Sequence, residues 1–339
     1  MNYDRAQLKA EVRQAAKVTT PRPMWITLLY SVIVGVGSWL LSLIVRAVSG
    51  TASLNGQLAS NFGRLLESGY DPQEALGELL YAYGGQLGSL IAAVCVSGLL
   101  LSVLTALWTG LMGVGYQNYC RQVIHLDQPK MGVIFSGFPM IGKAVLTRFL
   151  VWVFTALWTL LFGACFAVVI IVAMLFVQKA AAVTVILILL GYIAFLLMEF
   201  WVTLRYALVN YAMLDTGCYG LDALTASKTL MKGNKGKLFV LYLSFIGWYL
   251  LEIAILAVAG GISAVLVAGA AGNIVSRAVS YGALAGIMGG IFIVWALAGV
   301  GVLLLNIWLQ PYVTGCVAKF YYVLKGEQGP EAVQPDVLM

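Results

Sequence analysis

Val145 to Val177 reads VLTRFLVWVFTALWTLLFGACFAVVIIVAMLFV, and Arg148 is the only charge in it. A helix needs about 20 apolar residues to cross a bilayer, and inside hydrocarbon only a helix or a closed barrel satisfies its own backbone groups. A run this long and this poor in charge predicts a membrane-spanning helix with length left over for tilt or protrusion. Five further runs of the same kind begin near Trp25, Leu87, Val183, Leu238 and Gly282. The expected fold is all-α: a polytopic membrane helix bundle of six transmembrane helices. The first run follows a polar leader and lacks a small-residue cleavage site, so it is expected to remain as an anchor.

Composition agrees. With 61% hydrophobic residues, 10% charged residues and a mean hydropathy of +0.93, a water-facing surface is excluded.

The loops between the runs alternate between rich and poor in Lys and Arg. Arg5 to Arg22, Arg121 to Arg148, Arg205 to Lys237, and Lys319 with Lys325 hold sixteen of the 20 cations. Arg46, Arg64, Lys179 and Arg277 stand on the other side. Cations collect on the cytoplasmic side of a membrane protein, so both termini are expected in the cytoplasm of a bacterial cell, with the chain in its cytoplasmic (inner) membrane. Shifting the register by one helix would reverse the bias. The net charge of +6 then reflects orientation and lipid contact, and no basic domain with aromatic readout points to nucleic acid.

Cys95 and Cys165 fall inside apolar runs, and Cys120, Cys218 and Cys316 near their ends, with no CxxC pair among them. Reduced, isolated thiols are expected. The single histidine, His125, has no Cys or paired carboxylate beside it, so neither a metal nor a cofactor is implied.

Residues 1–23 are expected to form a cytoplasmic amphipathic helix. Arg5, Lys9, Arg13 and Lys17 recur every four residues beside Leu8, Val12 and Ala15. Such a helix either lies on an anionic leaflet with its apolar strip down or is simply solvated. Residues 24–325 form the six-helix domain. Its external segment, residues 50–85, reads as a helical hairpin: Leu54, Leu58, Phe62 and Leu65 follow a helical period, and Asp71, Pro72 and Glu74 open a second helix. It is either a lid over an outer vestibule or a hairpin packed on the membrane surface. The cytoplasmic basic loop, residues 215–237, should carry a helix over Asp222–Met231 stopped at Gly233. Residues 326–339 read as a disordered cytoplasmic tail.

Small residues mark one helix contact. Gly260, Ala264, Ala268 and Gly272 in the fifth run, and Gly282, Gly286 and Gly290 in the sixth, repeat every four residues. Stripes of this kind let backbones approach, so the last two spans are expected to pack as an antiparallel hairpin.

One stretch is more specific. Met231, Lys232, Gly233, Asn234, Lys235, Gly236 and Lys237, then Phe239 and Ser244 to Tyr249, resemble the signature of a bacterial integral membrane family, domain of unknown function 975. Leu8 and Lys9, Gly115 and Tyr116, Phe135 to Phe138, Trp158, Arg205 and Tyr206, Asp215, Ser227, Pro311 and Tyr312, and Phe320 and Tyr321 extend the resemblance over nearly the whole chain. Two departures stand out: Gly191 to Glu199 contains no proline, and the external loop is longer. The family is similar to the membrane domain attached to some glycerophosphodiester phosphodiesterases. That likeness implies a lipid or small-solute context without a reaction.

Two acids sit in apolar runs, Glu199 and Glu252, and an ionisable group at depth is a candidate functional site. Counted from Leu238, Glu252 lies roughly 20 Å along its helix. Arg205 is within reach of either acid across a helix contact. The three either form the polar core of a cavity between the fourth and fifth spans, or Arg205 pins helix ends through Glu199 or Asp215. Lys228, Lys232, Lys235, Lys237, Arg5, Lys9 and Arg13 are candidate contacts for lipid headgroups or anions; for the four lysines of the loop, the alternative is orientation alone. GxxxxGK[ST], HExxH and GxSxG are all absent, so enzymatic activity is not expected. The favoured function is permease or exporter-like handling of a small or amphiphilic solute. The alternative is a non-transporting scaffold, immunity or accessory protein that binds a partner membrane protein or lipid.

Overall fold

The computed structural model describes residues 4–50, 57, 60–65, 68–70, 72–84, 87–176, 181–275 and 281–326. Its elements are helical, with no strand among the described residues. In chain order they are α1 (Arg5–Val18), α2 (Pro23–Val48), α3 (Pro72–Tyr83), α4 (Leu87–Ile124), a 3-10 helix at Met131–Gly137, α5 (Ile141–Phe176), α6 (Ala181–Tyr206), α7 (Val209–Thr216), α8 (Leu221–Met231), α9 (Lys235–Leu243), α10 (Ile246–Val275) and α11 (Tyr281–Lys325). Among the described residues six stretches are long and apolar enough to cross a membrane: Pro23–Val48, Ala92–Ile124, Ile141–Met174, Val183–Thr216, Ile246–Gly269 and Gly286–Lys325. The protein is a multi-pass integral membrane protein.

Two apolar runs that read as continuous are broken. The fourth turns at Ala207 and Leu208, between α6 and α7. The fifth is interrupted at Ser244 and Phe245, where the Ser244 hydroxyl donates to the Leu241 carbonyl, a local side-chain bond that competes with the helix ladder. The crossing therefore starts at Ile246. Glu252 lies six residues, about 9 Å, into it, not the roughly 20 Å counted from Leu238.

The contacts separate two compact units. The larger holds the residues up to Leu28 and those from Val114 onward. Within it, α5 and α6 form an antiparallel hairpin, since Arg205 lies over Trp158, Phe195 stacks on Phe166 and the Thr184 hydroxyl donates to the Ala173 carbonyl. A second hairpin joins α10 and α11, as expected, through Trp248 on Trp308, Asn306 on Glu252, Gly301 on Ile255 and Gly290 on Leu266. Of the small-residue stripes, Gly290 takes part in this contact. Ala259 is buried, whereas Ala264 and Ala268 are exposed and neither Gly260 nor Gly286 has an atom within 4 Å of its Cβ position. Gly272 and Gly282 fall within α10 and α11.

Burial in this unit is concentrated at its basic end. In the most apolar part of each crossing few side chains are buried, and the rest are half-buried or exposed, as toward lipid. At the basic ends of these helices Leu208, Tyr211, Met231, Leu238, Leu241, Phe245, Cys316, Phe320 and Tyr321 close a protein core. α11 is 45 residues long, about 68 Å, against a hydrocarbon core of about 30 Å. Its C-terminal turns belong to this core.

The apolar strip of α1 joins the core as well. Leu8, Val12 and Ala15 are buried, and Val12 rests on α11 where Gly315 leaves space; a Cβ there would stand 2.9 Å from its Cγ1. Lys9 lies 4.1 Å from the centroid of Phe245, Arg13 lies 5.6 Å from that of Tyr312, and Lys319 pairs with Glu11 at 2.9 Å. Protein therefore covers the face expected to lie on a leaflet. Lys9 and Arg13 stack on rings, while Arg5 stays exposed. Burial, reinforced by Arg5 and Arg13, lowers the pKa of the Lys9 amine. Leu8→Asp places a carboxylate at a position 4% exposed and should cost about 3 kcal/mol. It is expected to release α1, so that trypsin cuts at Arg13 and Lys17 in otherwise intact protein. Unchanged protection would contradict this packing.

The smaller unit runs from Leu29 to Gly113. There the Trp108 indole donates to the Val34 carbonyl at 3.3 Å and lies where a Gly37 Cβ would stand. α3 opens with Pro72 and carries Glu74 in its first turn, as expected. Leu54, Leu58, Asp71 and the tail from residue 327 lie outside the described residues.

Candidate functional site

Leu197, Phe200, Thr203, Leu204 and Ala207 recur at helical spacing and line one wall of a cavity at the end of α6. Phe239, Tyr242 and Leu243 of α9, with Ile246 and Tyr249 of α10, line the other. The Phe200 ring meets Phe239 and Tyr242 edge-on at 5.7 and 6.5 Å. The cavity is an open groove of about 520 Å³, within the range of about 300–1,000 Å³ common for ligand sites. The lining is aliphatic and aromatic. Its few hydroxyls come from Thr203, whose Oγ1 donates to the Glu199 carbonyl at 3.0 Å, and from the two tyrosines. Burial, aided by nearby Tyr249, pushes the Tyr242 phenol up to about 12, so it is protonated at neutral pH.

Two cations belong to the helices that form this cavity, though neither is among its lining residues. The Lys235 amine sits 3.1 Å from the centroid of Trp201, next to the lining residue Phe200 and four residues before Phe239. The Arg205 guanidinium, next to Leu204, lies 6.0 Å from the Trp158 centroid. Desolvation, then repulsion from Arg205, lowers the Lys235 pKa. Among the described residues neither cation has a carboxylate within 4.0 Å. The Asn234 side chain donates to the Leu230 carbonyl at 3.1 Å and does not cap α9. Of the other candidate cations, Lys228 lies 5.2 Å from the Phe154 centroid, and Lys232 and Lys237 are exposed.

The three residues expected as a polar core are distributed elsewhere, and none lines the cavity. Glu252 accepts a hydrogen bond from the Asn306 amide at 3.3 Å, across α10 and α11. Glu199 shares the α5-facing side of α6 with Phe195 and Val202, and its Oε1 is buried without a hydrogen-bond partner. The Arg205 carbonyl accepts from the Ser227 hydroxyl at 3.1 Å, which ties α8 to the end of α6. Asp215 gathers other partners. Lys325 Nζ stands 2.7 Å away, the Tyr321 hydroxyl donates at 2.9 Å, and Arg121 lies at 4.0 Å.

The model of a family described as "Protein of unknown function (DUF975)" matches residues 1–328. The chain belongs to this family. No curated protein and no solved structure matches it. The residues that carried the resemblance, Met231 to Lys237 and Phe239, are those that end α8, begin α9 and supply Lys235 and one lining residue of the cavity, Phe239. Within the DUF975 chain, sequence reasoning located Lys235 and Arg205 and missed Trp201, Tyr242 and Asn306. A signal was present: Phe239, Tyr242, Ile246 and Tyr249 keep one helical face across the break at Ser244.

Proposed function

We propose that the protein acts as a permease or exporter-like carrier of an amphiphilic solute and receives the apolar part of that solute between α6, α9 and α10. The cavity of about 520 Å³ with an aromatic and aliphatic lining carries this reading, because such a lining favours hydrocarbon over ions. The excess of cations on alternate loops supports a bacterial cytoplasmic membrane with both termini inside. The protein is not an enzyme in this reading.

Thr203→Trp fills the cavity from an exposed lining position at little expense to the fold. Purified protein in vesicles should move a fluorescent single-chain amphiphile across the bilayer, and the variant should lose at least tenfold of that rate while unfolding at the same temperature. Equal rates in both proteins would refute the proposal.

One observation favours the alternative, a non-transporting scaffold or accessory protein. Glu252, the acid best placed to couple an ion to movement, is bonded to Asn306. Folded protein that gives no flux above empty vesicles would select that alternative.

A further inference from the structure

The proposed cavity would be lined by hydrocarbon-like side chains along its length and edged by positive charge. An uncharged amphiphile would use the first feature and leave the second unanswered. The Lys235 amine sits on Trp201, which stands one turn before Arg205 on the same side of α6, both cations lie against indole rings, and among the described residues no carboxylate neutralises either. Two partly desolvated like charges without a counterion are unfavourable until an anion arrives. A phosphate offers several acceptor oxygens, matching the planar donors of Arg205 and the point charge of Lys235. Phe200 and Leu204 line the cavity, and Trp201 and Arg205 follow them directly in α6. Successive helix residues are turned by about 100°, so the charge and the hydrocarbon of one molecule would be met on adjacent faces of α6.

We propose that this is a binding site for one anionic phospholipid of the surrounding membrane, with its phosphate between Lys235 and Arg205 and an acyl chain in the cavity. The inference rests on the cavity reading above and adds the charge of the occupant.

Native mass spectrometry of the full-length protein in detergent, titrated with phosphatidylglycerol or with phosphatidylcholine of the same acyl chains, tests it. The wild type should retain one phosphatidylglycerol about thirtyfold more readily than one phosphatidylcholine. Lys235→Gln with Arg205→Gln should reduce that preference about thirtyfold, as expected for two cations near a membrane surface, while phosphatidylcholine binding persists. Lys235→Arg should keep the preference, as should Lys237→Gln at an exposed position. Thr203→Trp should weaken both lipids. A wild type without preference, or a double variant that keeps it, overturns the anionic site. If both lipids bind equally and Thr203→Trp displaces both, the cavity reading survives and the charge assignment falls. If Thr203→Trp displaces neither, both fall. Should the double variant unfold, the Lys235→Gln single variant decides, with a loss of about fivefold expected.

Discussion

Gly115→Ala should leave almost no folded protein in detergent extracts, whereas Gly113→Ala, two residues earlier in the same helix, should be recovered at wild-type yield. The 3-10 helix lies directly on α4, and a Cβ at Gly115 would stand 1.7 Å from the Ile134 carbonyl oxygen and 2.5 Å from its carbon. Those are main-chain atoms, so no rotamer change makes room. At Gly113 the nearest atom is the Tyr30 hydroxyl at 4.0 Å, an ordinary contact. Relief at Gly115 means lifting the Met131–Gly137 segment, which unpacks buried Ile134 and breaks the bond from the Asn118 amide to the Ser136 hydroxyl. The penalty is expected to exceed the 1–3 kcal/mol typical of overpacking. Thermal unfolding in micelles measures it, and a stable Gly115→Ala variant would mean that the segment does not touch α4.

The second large effect is expected at Asp215, where three elements meet. Its carboxylate accepts from Tyr321 and Lys325 of α11 and faces Arg121 of α4. Lys325 is 36% exposed, so water screens its share. The remainder comes from the Tyr321 hydroxyl and from Arg121, whose Nε already lacks a partner. Asp215→Ala leaves the Tyr321 hydroxyl without this acceptor and Arg121 with only its bond to the Leu214 carbonyl at 3.3 Å, and should cost about 3 kcal/mol. Asp215→Asn keeps an acceptor for Tyr321 and should cost less. Adding Lys325→Gln to Asp215→Ala should add little further loss, since the partner it removes is already idle. Full additivity in denaturant titrations would show that Asp215 and Lys325 do not interact.

The crossings were legible because hydropathy and the number of residues needed to span hydrocarbon are properties of each helix alone. The stop at Gly233 was equally legible, since its φ of +78° is one a glycine adopts freely. The breaks at Ala207 and Ser244 were hidden, because apolar residues on both sides give hydropathy no edge to detect. The small-residue stripe includes Gly290, which meets Leu266, and does not include Ala259, which is buried. The Glu252–Asn306 bond and the Trp248–Trp308 contact fix how α10 is rotated, and both depend on which residue of a second helix stands opposite. Glu252 and Arg205 drew notice as charges in apolar surroundings, and depth alone could not say that one faces α11 and the other Trp158. Asp215 was weighed as a partner for Arg205, while Lys325, more than a hundred positions away, holds it.

The docking of α1 on α11 has a consequence for synthesis. The helix is made first, yet Gly315 and Lys319, which receive Val12 and Glu11, follow on the order of 300 residues later. At about 5–20 residues per second, Leu8 and Val12 wait roughly 15–60 s for their partner. During that interval a nascent chain carries an uncovered apolar stripe beside four cations, and α1 gains its protein cover only when the end of the last helix has been made.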